Sequence, residues 1–94
     1  MAARIDVKKL GAGSYEVRVI AGKSQSRHRV TLEDGDYTRL TDGNVTPEEL
    51  IRRSFEFLLE HESKESILES FDLMVISRYF PQYEREIKKR IDSA

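Results

Sequence analysis

The first third of the chain contains three segments in which apolar and charged residues alternate. They span residues 4–9, 15–19 and 27–32, and the glycine-containing stretches GAGS and AGKSQS separate them. Alternation with a period of two is typical of strands that bury one face. We therefore predict a three-stranded antiparallel meander within residues 3–32. Its apolar face would be formed by Ile5, Val7, Tyr15, Val17, Val19, Val30 and Leu32.

A helix start follows at residues 46–49, which read TPEE. Thr46 is a good N-cap, Pro47 suits the first helical position, and Glu49 has the spacing of a capping box. In the helix predicted over residues 46–61, apolar residues cover about half of the circumference, whereas one packed layer needs only about 100°. This helix should therefore contact the sheet and a second neighbour.

The stretch FDLMVISRYFPQY (71–83) is the best candidate for that second neighbour. We predict a helix over about residues 64–79, a corner at Pro81, and a last helix over about 81–92. Residues 33–45 read as a polar connection with one short helical turn. The predicted fold class is therefore α+β, with a three-stranded antiparallel meander packed against about three C-terminal helices in a single domain, residues 1–94.

Length and composition exclude several classes of protein. With 94 residues, the chain is too short for two ordinary cores. It has 38% hydrophobic and 35% charged residues, no cysteine and no apolar run long enough to span a membrane. Disulfides, thiolate metal sites and cysteine nucleophiles are excluded. Because no secretory signal is recognisable at the N-terminus, we expect a cytoplasmic protein without a membrane partner.

The sequence shows no grouping of catalytic or metal-binding residues. His28 and His61 lie far apart in the sequence, and neither has carboxylates at the spacing of a metal site or a triad. His28 has inward strand parity, so we expect it to be partly buried and hydrogen-bonded to backbone. Calcium-loop registers that begin at Asp34 or Asp42 lack the required glycine and glutamate. We therefore predict no catalytic residue, no cofactor and no metal, and a protein that is not an enzyme; a small enzyme using His28 is the least supported class.

A basic surface is the first of two candidate binding features. Residues 1–32 contain seven Lys/Arg and two Asp/Glu. A basic sheet face can bind phosphates, so nucleic acid or another anionic partner is a candidate. However, Asp6 and Glu16 share this face and no aromatic side chain does, which also fits a solvated face with cross-strand ion pairs. The candidate residues are Arg4, Lys8, Arg18, Arg27 and Arg29.

The second candidate binding feature is a surface for protein–protein contacts. Both edge strands of a meander are open, and no proline blocks the edge predicted at residues 26–32. Any exposed part of residues 71–83 would add an apolar surface. The predicted protein interface is formed by Leu73, Met74, Tyr79, Phe80 and Tyr83. The leading hypothesis is a non-enzymatic protein-interaction module that binds another protein or itself as a homodimer, and the alternative is a nucleic-acid-binding protein.

The chain from about residue 15 also resembles a group of small uncharacterised bacterial proteins. The similarity runs through SYEVRV, RHRVTL, TPEELIRRSFEFLLE and ESILESFDLMVISRYFPQYEREI, and ISRYFPQYEREI is its most specific part. The resemblance implies a bacterial protein and does not imply any activity. A weaker similarity is to antitoxins with a strand-rich N-terminal domain followed by helices. Because this chain has no recognisable DNA-binding tail, that similarity adds little to the nucleic-acid hypothesis.

Overall fold

A four-stranded sheet forms one layer of the molecule and helices form the other. The computed structural model describes residues 3–92, so the predicted domain limits at residues 1 and 94 lie outside the described residues. The strands, in their order across the sheet, are β1 (Arg4–Gly11), β2 (Ser14–Ala21), β3 (Ser24–Thr31) and β4 (Ser70–Asp72). The first three strands are antiparallel, and β4 is parallel to β3. The predicted α+β class and meander are confirmed, and a fourth strand is added.

Two tight turns set the register of the meander. Gly22 and Lys23 join β2 to β3, and Gly22 has a φ of 62°. A positive φ at the first residue of a two-residue loop is typical of a hairpin turn that matches the strand twist, and glycine adopts it without strain. The resulting register aligns Val7 with Val17 and Val17 with His28, so these side chains share the inner face.

The helical layer is more divided than the sequence pattern indicated. It consists of α1 (Asp34–Thr41), α2 (Pro47–His61), a 3₁₀ helix (Lys64–Ser66), α3 (Val75–Tyr79) and α4 (Tyr83–Asp92). The connection predicted at residues 33–45 contains the two-turn helix α1 instead of a single turn. None of the helices within residues 3–92 is long and apolar enough to cross a membrane.

The start of α2 confirms the predicted cap but not the full capping box. The Glu49 amide donates to the Thr46 hydroxyl at 3.1 Å. The Glu49 carboxylate binds the guanidinium groups of Arg52 and Arg53 on the next turn instead of returning to Thr46. As the wide apolar stripe predicted, α2 packs against the sheet, at β1, and against other helices, chiefly α4 and also α1. Its buried side chains belong to one cluster that joins the sheet to the helices.

The helix predicted over residues 64–79 is wrong. After the 3₁₀ helix, the chain runs through bends at Ile67 and Glu69 and pairs with the edge of β3 at residues 70–72, and only residues 75–79 form α3. The Arg29 amide donates to the Glu69 carbonyl at 2.8 Å, and the Leu73 amide donates to the Thr31 carbonyl at 2.9 Å. Pairing here satisfies backbone groups that a helix would leave open at the edge of β3, so tertiary context overrides local pattern. The prediction that residues 26–32 form an open edge is wrong at Arg29–Thr31, which pair with β4, whereas residues 26–28 pair only with β2.

The proline corner and the last helix agree with the sequence prediction. α3 ends at Tyr79, Pro81 lies in the turn, and α4 begins at Tyr83. Tyr83 is fully buried, and its hydroxyl lies 2.6 Å from the Ser54 hydroxyl, which donates to the Leu50 carbonyl at 2.8 Å. Burial raises the pKa of Tyr83. The hydroxyl pair therefore fixes α4 against α2 inside the core.

Candidate protein-interaction groove

An apolar groove of about 400 Å³ opens between the end of α2, the extended segment before β4, and α3. Its floor consists of side chains from the core, including Leu58 and Ile76, which are 3% and 2% exposed. Phe71 of β4 forms one wall and packs against Phe55 with ring centroids 6.0 Å apart. The groove is therefore an opening onto the main hydrophobic core.

Exposed apolar side chains lie on the rim of this groove. Leu68 is 47% exposed and Tyr79 is 67% exposed, and both line the groove. Within residues 3–92, the one other large hydrophobic residue of comparable exposure is Leu10, at 46%, beside the β1–β2 turn. Two of the three exposed large apolar side chains thus converge on a single concave surface, as interaction sites do.

His28 fixes the extended wall of the groove to the sheet. Its Nδ1 lies 2.7 Å from the Leu68 carbonyl oxygen, and its Nε2 lies 2.8 Å from the Ser26 hydroxyl. The ring is buried against Phe55, with centroids 5.4 Å apart. A neutral imidazole that donates from Nδ1 and accepts at Nε2 satisfies both contacts. The predicted hydrogen bond from His28 to backbone is confirmed, the ring is buried more completely than predicted, and both ring nitrogens are engaged in structural hydrogen bonds.

The five predicted interface residues do not form one surface. Leu73 and Tyr83 are completely buried, so they belong to the core and not to a surface. Met74 and Phe80 are half-buried, and Phe80 packs edge-on against Phe57 at 5.8 Å. Tyr79 is the exposed member of the set. The apolar pattern of residues 71–83 does not by itself separate core side chains from rim side chains.

The helix predicted over residues 64–79 does not identify Leu68 as a rim residue. On that helix Leu68 shares an apolar face with its neighbours and would point into the core. In the structure the chain bends at Ile67 and Glu69, so that Ile67 is buried whereas Leu68 is exposed on the rim of the groove. Glycine or proline punctuation, which would have indicated an extended segment, does not occur in residues 61–72.

The wall of the groove is acidic. Residues 62–72 contain four Asp/Glu and one Lys. That lysine, Lys64, binds Glu65, and the contact lowers the pKa of the Glu65 carboxyl. Glu62 lines the groove itself, and Glu69 directly precedes β4. Glu69 also lies beside Arg27 and Arg29 at the outer face of the sheet, so Glu62 is the carboxylate by which the groove itself favours a cationic partner.

The outer face of the sheet carries all five predicted basic residues, but carboxylates interrupt them. The strand register aligns Arg18 with Asp6 and Glu16 with Arg29. Arg4 donates to Asp6 at 3.1 Å. The outward positions of the four described strands include no aromatic residue: Arg4, Asp6, Lys8, Ser14, Glu16, Arg18, Ile20, Gln25, Arg27, Arg29, Thr31, Ser70 and Asp72. The face is a mixed-charge surface without a stacking platform for unpaired bases.

Neither a metal-binding group in the described residues nor a match to a known protein indicates a different functional site. Residues 3–92 contain no group of three or more His, Asp or Glu side chains that could hold a metal ion. Comparison of the chain with protein-family models, with curated proteins and with solved structures gave no match. Its shape and its exposed apolar side chains therefore make the groove the candidate site.

Proposed function

We propose that this chain is a non-enzymatic protein-interaction module, cytoplasmic and of bacterial type, and that its binding site is the apolar groove. The observation that carries the proposal is the convergence of Leu68 and Tyr79 on one groove that opens onto the core. Exposed apolar side chains are costly unless a partner covers them, and aromatic side chains such as Tyr79 are frequent anchors at interfaces. The partner is another protein or a second copy of the chain.

The groove is also supported by the way its wall is built. A buried histidine and a parallel strand hold the extended segment in place, so that Leu68 is presented on a fixed backbone. A fixed backbone reduces the conformational entropy that is lost on binding. The arrangement therefore favours a preformed protein-binding surface.

A pair of matched substitutions tests the proposal. Leu68→Ser removes an exposed leucine from the groove, and Leu10→Ser removes an equally exposed leucine at the opposite edge of the sheet. The chain would be used to capture protein from nuclease-treated cell lysate, and the captured protein would be purified and titrated against each variant. We expect Leu68→Ser and Tyr79→Ala to weaken binding by about tenfold, and Leu10→Ser to leave it unchanged.

Two results would contradict the proposal. One is a partner that binds all three variants with the same affinity, because the interface would then lie elsewhere. The other is a chain that enriches no protein and stays monomeric at every concentration. Circular dichroism of each variant separates loss of binding from loss of fold.

Nucleic-acid binding is the second candidate function, and it rests on five basic side chains that share an uncovered sheet face. Interleaved carboxylates and the lack of outward aromatic residues on the described strands rank it below the groove. The double charge reversal Arg27→Glu/Arg29→Glu tests it with a labelled single-stranded oligonucleotide. Binding by the wild type that is lost both in this variant and at raised salt would favour the nucleic-acid function.

A further inference from the structure

The free side of β4 presents unpaired backbone groups. The hydrogen bonds from Arg29 to the Glu69 carbonyl and from Leu73 to the Thr31 carbonyl fix which residues face β3. In a parallel ladder, alternate residues of a strand bond to the same neighbour, so Phe71 also faces β3. The N–H and C=O groups of Ser70 and Asp72 therefore point away from the sheet. Since β4 is the last strand in the order, they lie on an open edge.

This open edge and the apolar groove are adjacent. Phe71 aligns with the buried residue Val30, which places its side chain on the inner face of the sheet, and the same side chain lines the groove. A strand that paired with Ser70 and Asp72 would point every second side chain to that inner face. Those side chains would enter the groove between Leu68 and Tyr79. Main-chain pairing combined with pockets for alternate side chains is the mode of recognition called strand addition.

The charged side chains near β4 indicate what kind of peptide segment would bind at its open edge. Glu62 lines the groove, whereas Glu65 is paired with Lys64 and Glu69 lies beside Arg27 and Arg29. A bound segment with Lys or Arg on both sides of its apolar residues would complement Glu62 and the excess of carboxylates over lysine in residues 62–72. The open edge of β1 is a poor match, because that strand carries its own lysines and a bulge near Leu10.

We infer that the groove binds an extended segment of a partner protein, which adds to β4 as a fifth strand. The segment has apolar residues at alternate positions and basic residues at its flanks. This inference rests on the proposed function, since it names how the same groove is occupied. It differs from binding of an amphipathic helix, which would fill the groove without using the backbone of Ser70 or Asp72.

A library of random dodecapeptides displayed on phage supplies the probe. Peptides selected on the immobilised wild-type chain should show apolar residues at every second position with Lys or Arg at the ends. A synthetic copy of the most enriched peptide would then be titrated against three variants: Leu68→Ser, Ser70→Ala and Ser70→Pro. Proline is tolerated in an edge strand where its nitrogen faces solvent, so Ser70→Pro should keep the fold while it blocks the edge.

We expect Ser70→Pro to weaken peptide binding by about tenfold or more, because it removes one main-chain hydrogen bond and obstructs the edge. Ser70→Ala keeps the amide and should bind like the wild type. Amide hydrogen exchange gives an independent readout. In the free chain the Ser70 and Asp72 amides should exchange quickly, and the bound peptide should slow both by about tenfold or more.

Each other outcome overturns the inference in a distinguishable way. Peptides that depend on Leu68 but bind Ser70→Pro normally and leave both amides fast would show that the groove is used without strand addition, and the proposed function would stand. Failure to select any peptide, or binding that is unaffected by Leu68→Ser, would overturn the inference and the proposed function together. A mass that doubles with concentration and returns to the monomer in Ser70→Pro would make the occupant a second copy.

Discussion

The two edges of the sheet differ in length, attachment and charge. β1 has eight residues and joins its neighbour through a local turn, whereas β4 has three residues and reaches β3 from about forty positions later in the chain. β1 carries Arg4, Lys8 and Lys9, and its register shifts between Lys9 and Gly11. Residues 62–72, which lead into and form β4, carry four carboxylates and one lysine.

These differences correspond to two ways of treating an exposed strand edge. Lysines and bulges discourage pairing with another strand, and β1 has both. The edge at β4 is protected mainly by its shortness, and it lies beside the apolar groove. One edge is therefore built to stay free, and the other is the place where we propose that a partner binds.

Removal of the His28 side chain should have the largest effect on this comparison. We expect His28→Ala to lower the free energy of unfolding by about 2–3 kcal/mol, because it leaves a cavity beside Phe55 and an unpaired Leu68 carbonyl. The amides of Arg29 and Leu73, which hold β4 to β3, should lose protection from exchange, while those between β1 and β2 keep it. Urea titration and amide exchange measure the two effects.

Ser26→Ala is the matched control for this prediction. It removes only the partner of the His28 Nε2 atom, so a loss of about 1 kcal/mol is expected. If His28→Ala lowers protection equally at both edges, β4 does not open independently of the meander. The proposed difference in attachment would then be wrong.

The helix that covers β1, α2, is stabilised by charged contacts in addition to its neutral hydrogen bonds. The Glu49 carboxylate binds Arg52 at 2.5 Å and Arg53 at 2.6 Å, and Arg53 also donates to the Arg90 carbonyl at 2.5 Å. The hydrogen bond from Arg52, together with that from Arg53, lowers the pKa of Glu49 from 4.5 to about 2. Because the carboxylate favours the folded state, it stabilises the protein at pH values above 4.5, and this contribution is lost as pH falls toward 2.

Glu49→Gln should therefore cost stability in a pH-dependent way. At neutral pH we expect the free energy of unfolding to fall by about 1–2 kcal/mol, which allows for screening of a partly exposed group. The difference from the wild type should shrink between about pH 4.5 and pH 2 and then vanish. Urea titrations across this range provide the test, with Glu56→Gln, which removes a single exposed ion pair, as the control. A difference that is constant with pH would contradict the charge mechanism.

The meander, the start of α2 and the corner before α4 could be predicted from sequence, because their signals are local. Alternating residues defined the meander, and Thr46 with Pro47 marked the start of α2. Pro81 marked the corner before α4. Each of these features depends on neighbours in the chain, and the structure confirms each of them.

The segment that contains β4 could not be predicted, because its structure depends on distant partners. Residues 64–79 have apolar spacing that fits a helix. The competing strand pairing with β3 cannot be inferred without knowing where β3 lies in the folded molecule. The same limitation hid Leu68 and misassigned Leu73 and Tyr83, since a helical stripe does not show which of its members are covered. The candidate site lies where long-range pairing overrides the local pattern.

The lysines of β1 provide the smallest and last test of the comparison. In the double variant Lys8→Thr/Lys9→Val, β1 loses the two charges nearest its bulge and gains residues that favour strands. We expect stability to change by about 0.5 kcal/mol or less, since both lysines are exposed. The variant should nevertheless self-associate in a dilution series measured by sedimentation. The control Lys88→Thr/Lys89→Val removes two exposed charges from α4 and should have the same mass as the wild type at each concentration. If association persists when Ser70→Pro is added, the new contact lies at β1, because that substitution blocks only β4. If the two lysine variants have the same mass in the dilution series, the bulge alone keeps β1 free.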